Sequence, residues 1–149
     1  MNNTLTQPNI RVYQPADEAA VIDLWQRCKL VVPWNDPHQD IAFKLAFQPD
    51  LFFVGTVDNH VIASMMVGYE GHRGWLNYLA VHPDYQRQGV GRQMVEHAIK
   101  TLKAIGCPKL NLQVRETNQA VIAFYQRLGF TSDHVIGLGR HLRDDAGHA

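Results

Sequence analysis

The sequence predicts one domain of mixed α/β class, with a central, mostly antiparallel sheet of six to seven strands flanked by about four helices. Segments with the helical period of 3.6 residues alternate with short segments rich in β-branched and aromatic residues. Short turn signals join several strand-like segments, as in hairpins. The 149 residues suffice for a buried core, and no repeat or linker divides them. We expect flexible tails at about residues 1–8 and 143–149.

The first strand and the first helix follow each other near the start of the chain. Residues 10–13 alternate apolar and polar side chains, and Pro15 then ends the strand. From Pro15 to Cys28, apolar residues recur at intervals of three and four, which predicts an amphipathic helix. The carboxylates of Asp17 and Glu18 favour this helix because they lie in its first turn, where the helix dipole attracts negative charge.

A second helix is predicted after a loop over residues 31–35. Asp36 and Pro37 are typical of an N-cap followed by the first helical residue. The helix should continue to about Phe47. The two helices therefore flank a short loop that carries Trp34 and Asn35.

Three strands are predicted in the middle of the chain. Residues 51–57, 61–69 and 75–81 are rich in β-forming residues. The turn signals at residues 58–59 and 71–74 join them as antiparallel neighbours.

The residue pattern in the last third of the chain predicts two helices, with strands between and after them. Residues 89–105 form a clear amphipathic pattern that Gly106 closes. A fifth strand is expected over residues 110–114 and a fourth helix over residues 118–128. Residues 130–142 carry enough β-pattern for one or two final strands, which gives the expected total of six to seven.

Charge and cysteine content exclude several classes of function. The chain has 14 Lys and Arg residues against 14 Asp and Glu, so its formal net charge is zero. Nucleic acid and membrane surfaces are therefore not expected as partners, because both bind through a surplus of cations. Cys28 and Cys107 have no metal-ligand spacing, and no metal is expected. The chain begins without a signal-peptide pattern and has no membrane-length apolar run, which favours a cytoplasmic protein.

A glycine turn lies between the predicted fourth strand and the long helix. Gly89 and Gly91 allow the backbone to approach a ligand there, and the first N–H groups of the helix would attract an anion such as a pyrophosphate. The pattern is neither the dinucleotide-binding fingerprint nor a phosphate-binding P-loop. A purely structural turn explains the two glycines equally well.

Two longer segments carry a family resemblance. Residues 79–91, followed by Asn118 and residues 123–130, resemble the two signature motifs of the GCN5-related N-acetyltransferases (GNAT). The predicted order of helices and strands also matches that family's fold, including a splay between strands 4 and 5. Segments 28–37 and 68–74 are further similar to small bacterial acetyltransferases of the YpeA type.

The resemblance implies that acetyl-CoA is the cosubstrate. It implies a set of backbone N–H groups around its pyrophosphate: Arg87, Gln88, Gly89, Val90, Gly91 and Arg92. It also implies that strand residues pair with the pantetheine arm: Leu79, Ala80 and Val81. The N–H of Val81 would polarise the acetyl carbonyl, and Asn118 would contact the cofactor near its sulfur. Tyr125 stands where the family has a tyrosine that donates a proton to the departing thiolate.

The reaction that the resemblance implies is direct transfer of the acetyl group from the thioester to a primary amine. The fifth strand carries Gln113 where related enzymes have a glutamate. This position therefore supplies no carboxylate base, and any residue that deprotonates the amine must lie elsewhere. Glu70 and His72 are the candidates, although such turn residues are more often simply solvated. A water chain and binding of the neutral amine are the alternatives.

The acceptor side is predicted from the loops. Trp34, Asn35, Tyr69 and Glu70 are the candidate acceptor-binding residues. The acceptor is a small-molecule or protein amine, and the protein is a monomer or a homodimer. The alternative function is an acyl-CoA-binding or sensing module with little catalysis.

Overall fold

The computed structural model describes residues 5–143 and divides the chain into two compact units. The first unit is Met1–Leu112 and the second is Gln113–Ala149. Residues 1–4 and 144–149 of the predicted tails lie outside the described residues.

The first unit contains a five-stranded sheet in the order β1-β2-β3-β4-β5. Neighbours among the first four strands are antiparallel, as predicted, and β5 is parallel to β4. The strands are β1 (Asn9–Val12), β2 (Phe52–Val57), β3 (His60–Tyr69), β4 (Gly74–Val81) and β5 (Leu110–Leu112).

The prediction of six to seven strands is wrong, because none of the described residues after β5 belongs to a strand. Val135, Ile136 and Leu138 lie in the segment with the β-pattern, and 79–94% of their surface is exposed. Gly137 and Gly139 interrupt the segment, and glycine weakens a strand because it contributes no side chain to packing.

Four helices are present among the described residues, as predicted: α1 (Glu18–Arg27), α2 (Pro37–Ala46), α3 (Val90–Ala104) and α4 (Gln119–Arg127). The predicted start of α2 is confirmed, since the Asp36 carboxylate accepts a hydrogen bond of 3.0 Å from the His38 N–H. Short 3-10 helices cover Pro15–Asp17, Pro49–Leu51 and Pro83–Tyr85.

Alternate side chains of β2 contact helices on opposite faces of the sheet. Phe52 and Val54 belong to a buried cluster with Leu24 and Trp25 of α1. The ring of Phe53, between them in sequence, meets the ring of His97 on α3 edge to face at 4.7 Å. Because successive strand residues point to opposite faces, α1 and α3 cover opposite sides of the sheet.

A partly buried ion pair fixes β1 to the start of α1. The Asp17 side chain is 8% exposed and accepts hydrogen bonds from both terminal nitrogens of Arg11, at 2.8 and 2.9 Å. It also accepts one from the Gln14 N–H at 2.8 Å. The hydrogen bond from Arg11 is the main reason that the pKa of Asp17 is lowered.

Asp17→Asn is expected to reduce the free energy of unfolding by about 1–2 kcal/mol at neutral pH, because the partly buried guanidinium of Arg11 loses its charge partner. A lowered folded-state pKa stabilises the protein above the unfolded value of 3.8, and this stabilisation disappears as the pH falls through the lowered value. Urea unfolding at several pH values measures the difference. Asp23→Asn, which breaks the exposed pair with Arg27, is the control and should have little effect. A pH-independent difference would contradict the assignment.

Candidate active site

The β4 strand has an open edge next to β5. β5 pairs with Gly74, Trp75 and Leu76 only, so the remaining five residues of β4, Asn77–Val81, have no β5 partner. This confirms the predicted splay between strands 4 and 5. The pairing with β3 also shifts register between Ser64 and Met66, since one extra residue lies on β4 there. Such a β-bulge bends a strand and redirects its side chains.

The predicted oxyanion donor, the Val81 N–H, is directed toward this open edge. His82 N–H donates to the Ile62 carbonyl at 2.8 Å, on the β3 side. Peptide groups alternate along an antiparallel strand, so the N–H of Val81 points to the other side. Val81 C=O accepts hydrogen bonds from Gln86 Nε2 at 3.0 Å and from Cys28 Sγ at 3.2 Å. Side chains thus satisfy the carbonyl at this edge, whereas the N–H is a donor available to a ligand.

The glycine turn stands directly before α3. Gly89 has φ +81°, a left-handed conformation that favours glycine. The first N–H bonded along the helix is that of Gln93, which donates to the Gly89 carbonyl at 3.1 Å. The N–H groups of Val90, Gly91 and Arg92 precede it and have no helical carbonyl to bond. With the helix dipole, they give this 15-residue helix an N-terminus suited to an anion.

The two arginines of this turn are arranged differently. Arg87 is exposed with φ +63°, and Arg92 Nε donates to Glu96 Oε1 at 2.9 Å one turn along α3. The start of the described chain also reaches this turn, where Thr6 N–H donates to Gln88 C=O at 3.1 Å. Arg92 is therefore engaged by Glu96, whereas Arg87 is an exposed cation beside the backbone N–H groups.

A cleft of about 550 Å³ lies between α2 and the neighbouring strands. One face of α2 contributes Asp40, Phe43 and Lys44 at the helical spacing of three and four, and Phe47 follows directly after the helix. The strands β3 and β4 contribute the opposite wall, including Met66, Tyr69, Trp75, Asn77 and Tyr78. Of the predicted acceptor residues, Asn35, Tyr69 and Glu70 line this cleft, whereas Trp34 lies outside its lining.

The predicted base candidates lie in the turn between β3 and β4. Glu70 Oε1 accepts hydrogen bonds from the N–H groups of His72, at 2.8 Å, and of Arg73. Tyr69 O–H donates to the Gly71 carbonyl at 3.0 Å in the same turn. One oxygen of Glu70 therefore holds the turn, and its other oxygen remains for a ligand. His72 is exposed and does not line the cleft.

Sequence reasoning missed two cleft residues, Asp40 and Tyr78. The Tyr78 hydroxyl donates to Asp40 Oδ2, and the Asn35 side chain bonds to the same hydroxyl. The Tyr78 ring stacks on Trp25, with centroids 4.2 Å apart and planes 14° apart. Burial, reinforced by Asp40, raises the pKa of Tyr78. The spacing of Asp40, Phe43, Lys44 and Phe47 was the signal that could have indicated this wall.

Lys44 and Gln48 attach α2 to β3. The Lys44 ammonium donates to the Val67 carbonyl, and its partial burial lowers its pKa. Gln48 forms a two-way bond with the Tyr69 backbone, donating to C=O at 2.7 Å and accepting from N–H at 2.9 Å. The helix that lines the cleft is thus fixed to the strand opposite.

The second unit holds the predicted proton donor and the predicted cofactor contact. Asn118 is the N-cap of α4, where Oδ1 accepts from the Val121 N–H at 3.4 Å. Tyr125 is 8% exposed and packs edge to face against Phe124 and Phe130, with centroids at 5.0 and 5.5 Å. Burial raises the pKa of Tyr125 to about 12, so its phenol is protonated at neutral pH.

Comparison with known proteins decides the family. The model of the acetyltransferase (GNAT) family matches residues 19–130. The chain belongs to the GNAT family of acetyltransferases. It is 46% identical over 136 residues to an acetyltransferase of Pectobacterium atrosepticum, covering 91% of this chain and 96% of the relative. An acetyltransferase of Sodalis glossinidius is 48% identical over 137 residues, with the same coverage.

Solved structures of other proteins share the fold of this GNAT protein. The ribosomal-protein-S18-alanine N-acetyltransferase from Escherichia coli is 31% identical, with a TM-score of 0.70 over 84% of this chain and 78% of that chain. The NatC complex, solved with Gag peptide and CoA, is 20% identical, with a TM-score of 0.72 over 85% and 86% of the two chains. The relatives identify this GNAT protein as an N-acetyltransferase.

Two further findings concern the described part of this GNAT protein. Among residues 5–143, no helix has both the length and the apolar character needed to cross a membrane. In the same residues, no three His, Cys, Asp or Glu side chains are grouped so that they could hold a metal ion.

Proposed function

We propose that the protein moves an acetyl group directly from the thioester of acetyl-CoA to a primary amine. The observation that carries this proposal is the open edge of β4, with the Val81 N–H directed outward, close in sequence to the free N–H groups that begin α3. Peptide groups of β4 are suited to pair with the amides of a pantetheine arm. The α3 N-terminus is suited to a pyrophosphate, because it combines N–H donors with a favourable dipole.

The chemistry needs negative charge to be stabilised on the acetyl oxygen. We assign this to the Val81 N–H, because a fixed donor aimed at a developing oxyanion favours the transition state over the ground state. The amine nitrogen forms a bond to the acetyl carbon as the carbon–sulfur bond breaks. The thiolate takes a proton, which we assign to Tyr125 because its burial keeps the phenol protonated.

An ordinary amine is protonated at neutral pH, so the acceptor loses one proton before it attacks and a second as the amide forms. One of the two is released to solvent, and the other balances the proton that Tyr125 gives to the thiolate. Glu70 is the proposed orienting group or base, because it lines the cleft and has one oxygen not used by the turn. His72 remains a proposed proton relay next to it in the turn. Asn118 is proposed to contact the cofactor from the N-terminus of α4.

Calorimetric titration with acetyl-CoA tests the proposal, with Gly89→Ala as the variant. We expect about tenfold weaker binding, because an alanine at φ +81° strains the turn that presents the N–H groups. Gly106→Ala is the matched control, since Gly106 has φ +84° just beyond the other end of α3 and an added Cβ there would meet no atom within 4 Å. Equal affinity of both variants would contradict the assigned phosphate site.

Release of free CoA thiol in the presence of primary amines tests the transfer itself. Tight binding of acetyl-CoA without thiol release over a broad amine panel would favour the alternative, an acyl-CoA-binding or sensing module. Amine-dependent thiol release together with an acetylated amine of the expected mass would support the enzyme.

A further inference from the structure

We propose that the acceptor is a primary amine on a flat aromatic body without a carboxylate next to the amine, and that Asp40, held by Tyr78, binds its ammonium group. This inference rests on the proposed function and deepens it. It is drawn from the shape, charge and composition of the cleft between α2 and β4.

The position of the cleft along β4 determines which end receives the amine. Tyr78 is three residues before Val81, or about 10 Å along an extended strand. Trp75 lies a further three residues away, so the cleft extends from the Tyr78 end toward the start of β4. An amine bound beside Tyr78 is therefore nearer the Val81 N–H, while the body of the acceptor occupies the Trp75 end. Tyr69 pairs with Gly74, so Glu70 lies at the body end, and this inference transfers the orienting role proposed for Glu70 to Asp40.

The part of the cleft that would hold the body of the acceptor has aromatic walls, and these are partly exposed. Phe43 of α2 is 48% exposed, Phe47 directly after α2 is 68% exposed, and both line the cleft. Trp75 and Tyr69 line the opposite side from the strands. Large aromatic surface collected in one concave site is typical of a binding site for an apolar ligand. Stacking between rings adds to the area that such a ligand would bury.

The charges of the cleft favour a cation at the amine end. Asp40 and Glu70 are the acidic residues of the lining, and Lys44 is its basic residue. The Lys44 ammonium is directed at the Val67 carbonyl. The Tyr78 hydroxyl occupies Oδ2 of Asp40, which orients the carboxylate and leaves Oδ1 for an incoming ammonium group.

The same charges disfavour two other classes of amine. An amino acid would bring its own carboxylate within a few ångströms of Asp40, where like charges repel. A polyamine would place further cations beside Lys44 and would leave the aromatic walls without an apolar partner. The arrangement therefore selects against both a neighbouring carboxylate and several positive charges.

Measuring kcat/KM for four amines at saturating acetyl-CoA tests these features: 2-phenylethylamine, phenylalanine, n-butylamine and spermidine. We expect kcat/KM for 2-phenylethylamine to exceed that of each other amine by about tenfold or more. A higher value for phenylalanine or spermidine would overturn the inference. A higher value for n-butylamine would overturn its aromatic part.

Asp40→Asn separates charge from shape, because asparagine still accepts the Tyr78 hydrogen bond. We expect KM for 2-phenylethylamine to rise about tenfold or more while KM for acetyl-CoA stays unchanged, and Asp40→Glu to recover part of the loss. Asp23→Asn, an exposed acid on α1, is the control and should change neither constant. An equal rise in both KM values would show a structural role and overturn the assignment.

Calorimetry distinguishes failure of this inference from failure of the proposed function. Absence of acetyl-CoA binding overturns the proposed function. If acetyl-CoA binds, titration of CoA-loaded protein with 2-phenylethylamine tests the acceptor site without turnover. Binding that Asp40→Asn weakens supports the inference, and absence of binding overturns it.

Discussion

Trp25→Ala is expected to reduce the free energy of unfolding by about 3–5 kcal/mol, the cost of removing a fully buried aromatic side chain. Trp25 has no exposed surface. Its indole Nε1 donates a 3.0 Å hydrogen bond to Ser64 Oγ, and Ser64 is also fully buried. The variant therefore creates a cavity and leaves a buried hydroxyl without its donor. Urea unfolding followed by circular dichroism measures the change.

A second variant separates the two contributions of this side chain. Trp25→Phe retains much of the ring and loses the hydrogen bond, so we expect an intermediate cost of about 1–3 kcal/mol. Trp34→Ala is the control, because half of the Trp34 surface is exposed and little burial is lost. Equal destabilisation by Trp25→Ala and Trp34→Ala would contradict this account.

Trp25→Ala should also affect the proposed acceptor cleft. Trp25 stacks on Tyr78, and Tyr78 orients Asp40. The core of the first unit and the proposed ammonium site are therefore connected through one ring contact. Through this contact, we expect Trp25 to influence the position of the Asp40 carboxylate, although Trp25 lies outside the cleft.

Most of the fold could be predicted because periodicity reports which face of each element is buried. The apolar spacing of α1 and α3 and the hairpin signals between β2, β3 and β4 each have a local cause. Residues 130–142 show the limit of this reasoning. They alternate like a strand, but a strand needs a partner edge, and alternation alone does not specify one.

The proposed acceptor cleft is harder to predict from the sequence than the glycine turn proposed for the cofactor. The turn depends on glycine, whose conformational role can be predicted from the sequence. Tyr78 instead has φ +53° at a bulge, a conformation that depends on the register between β3 and β4 and not on its own residue type. A charged residue such as Asp40 on a helix is most often solvated, so its place in a cleft required the position of β4 to be known.

Tyr125→Phe tests the proposed proton donor, and we expect kcat to fall by about 10²–10⁴-fold. The phenyl ring can keep the edge-to-face contacts of Tyr125 with Phe124 and Phe130, so stability should change little. Tyr13→Phe is a matched control, because Tyr13 is also buried with a pKa of about 12. Its hydroxyl lacks a hydrogen-bond partner among the described residues, so that substitution should leave kcat unchanged.

The pH dependence of kcat gives a second test of the same residue. A pKa raised to about 12 means that Tyr125 is protonated, and able to donate, at every pH below that value. Deprotonation of the acceptor amine should make the rate increase with pH, and phenol ionisation should not reduce it below about pH 11. Tyr125→Phe should lower the whole profile without moving its ascending part. Retention of kcat within about twofold would show that the thiolate takes its proton from another donor, since the loss of a general acid costs far more than that.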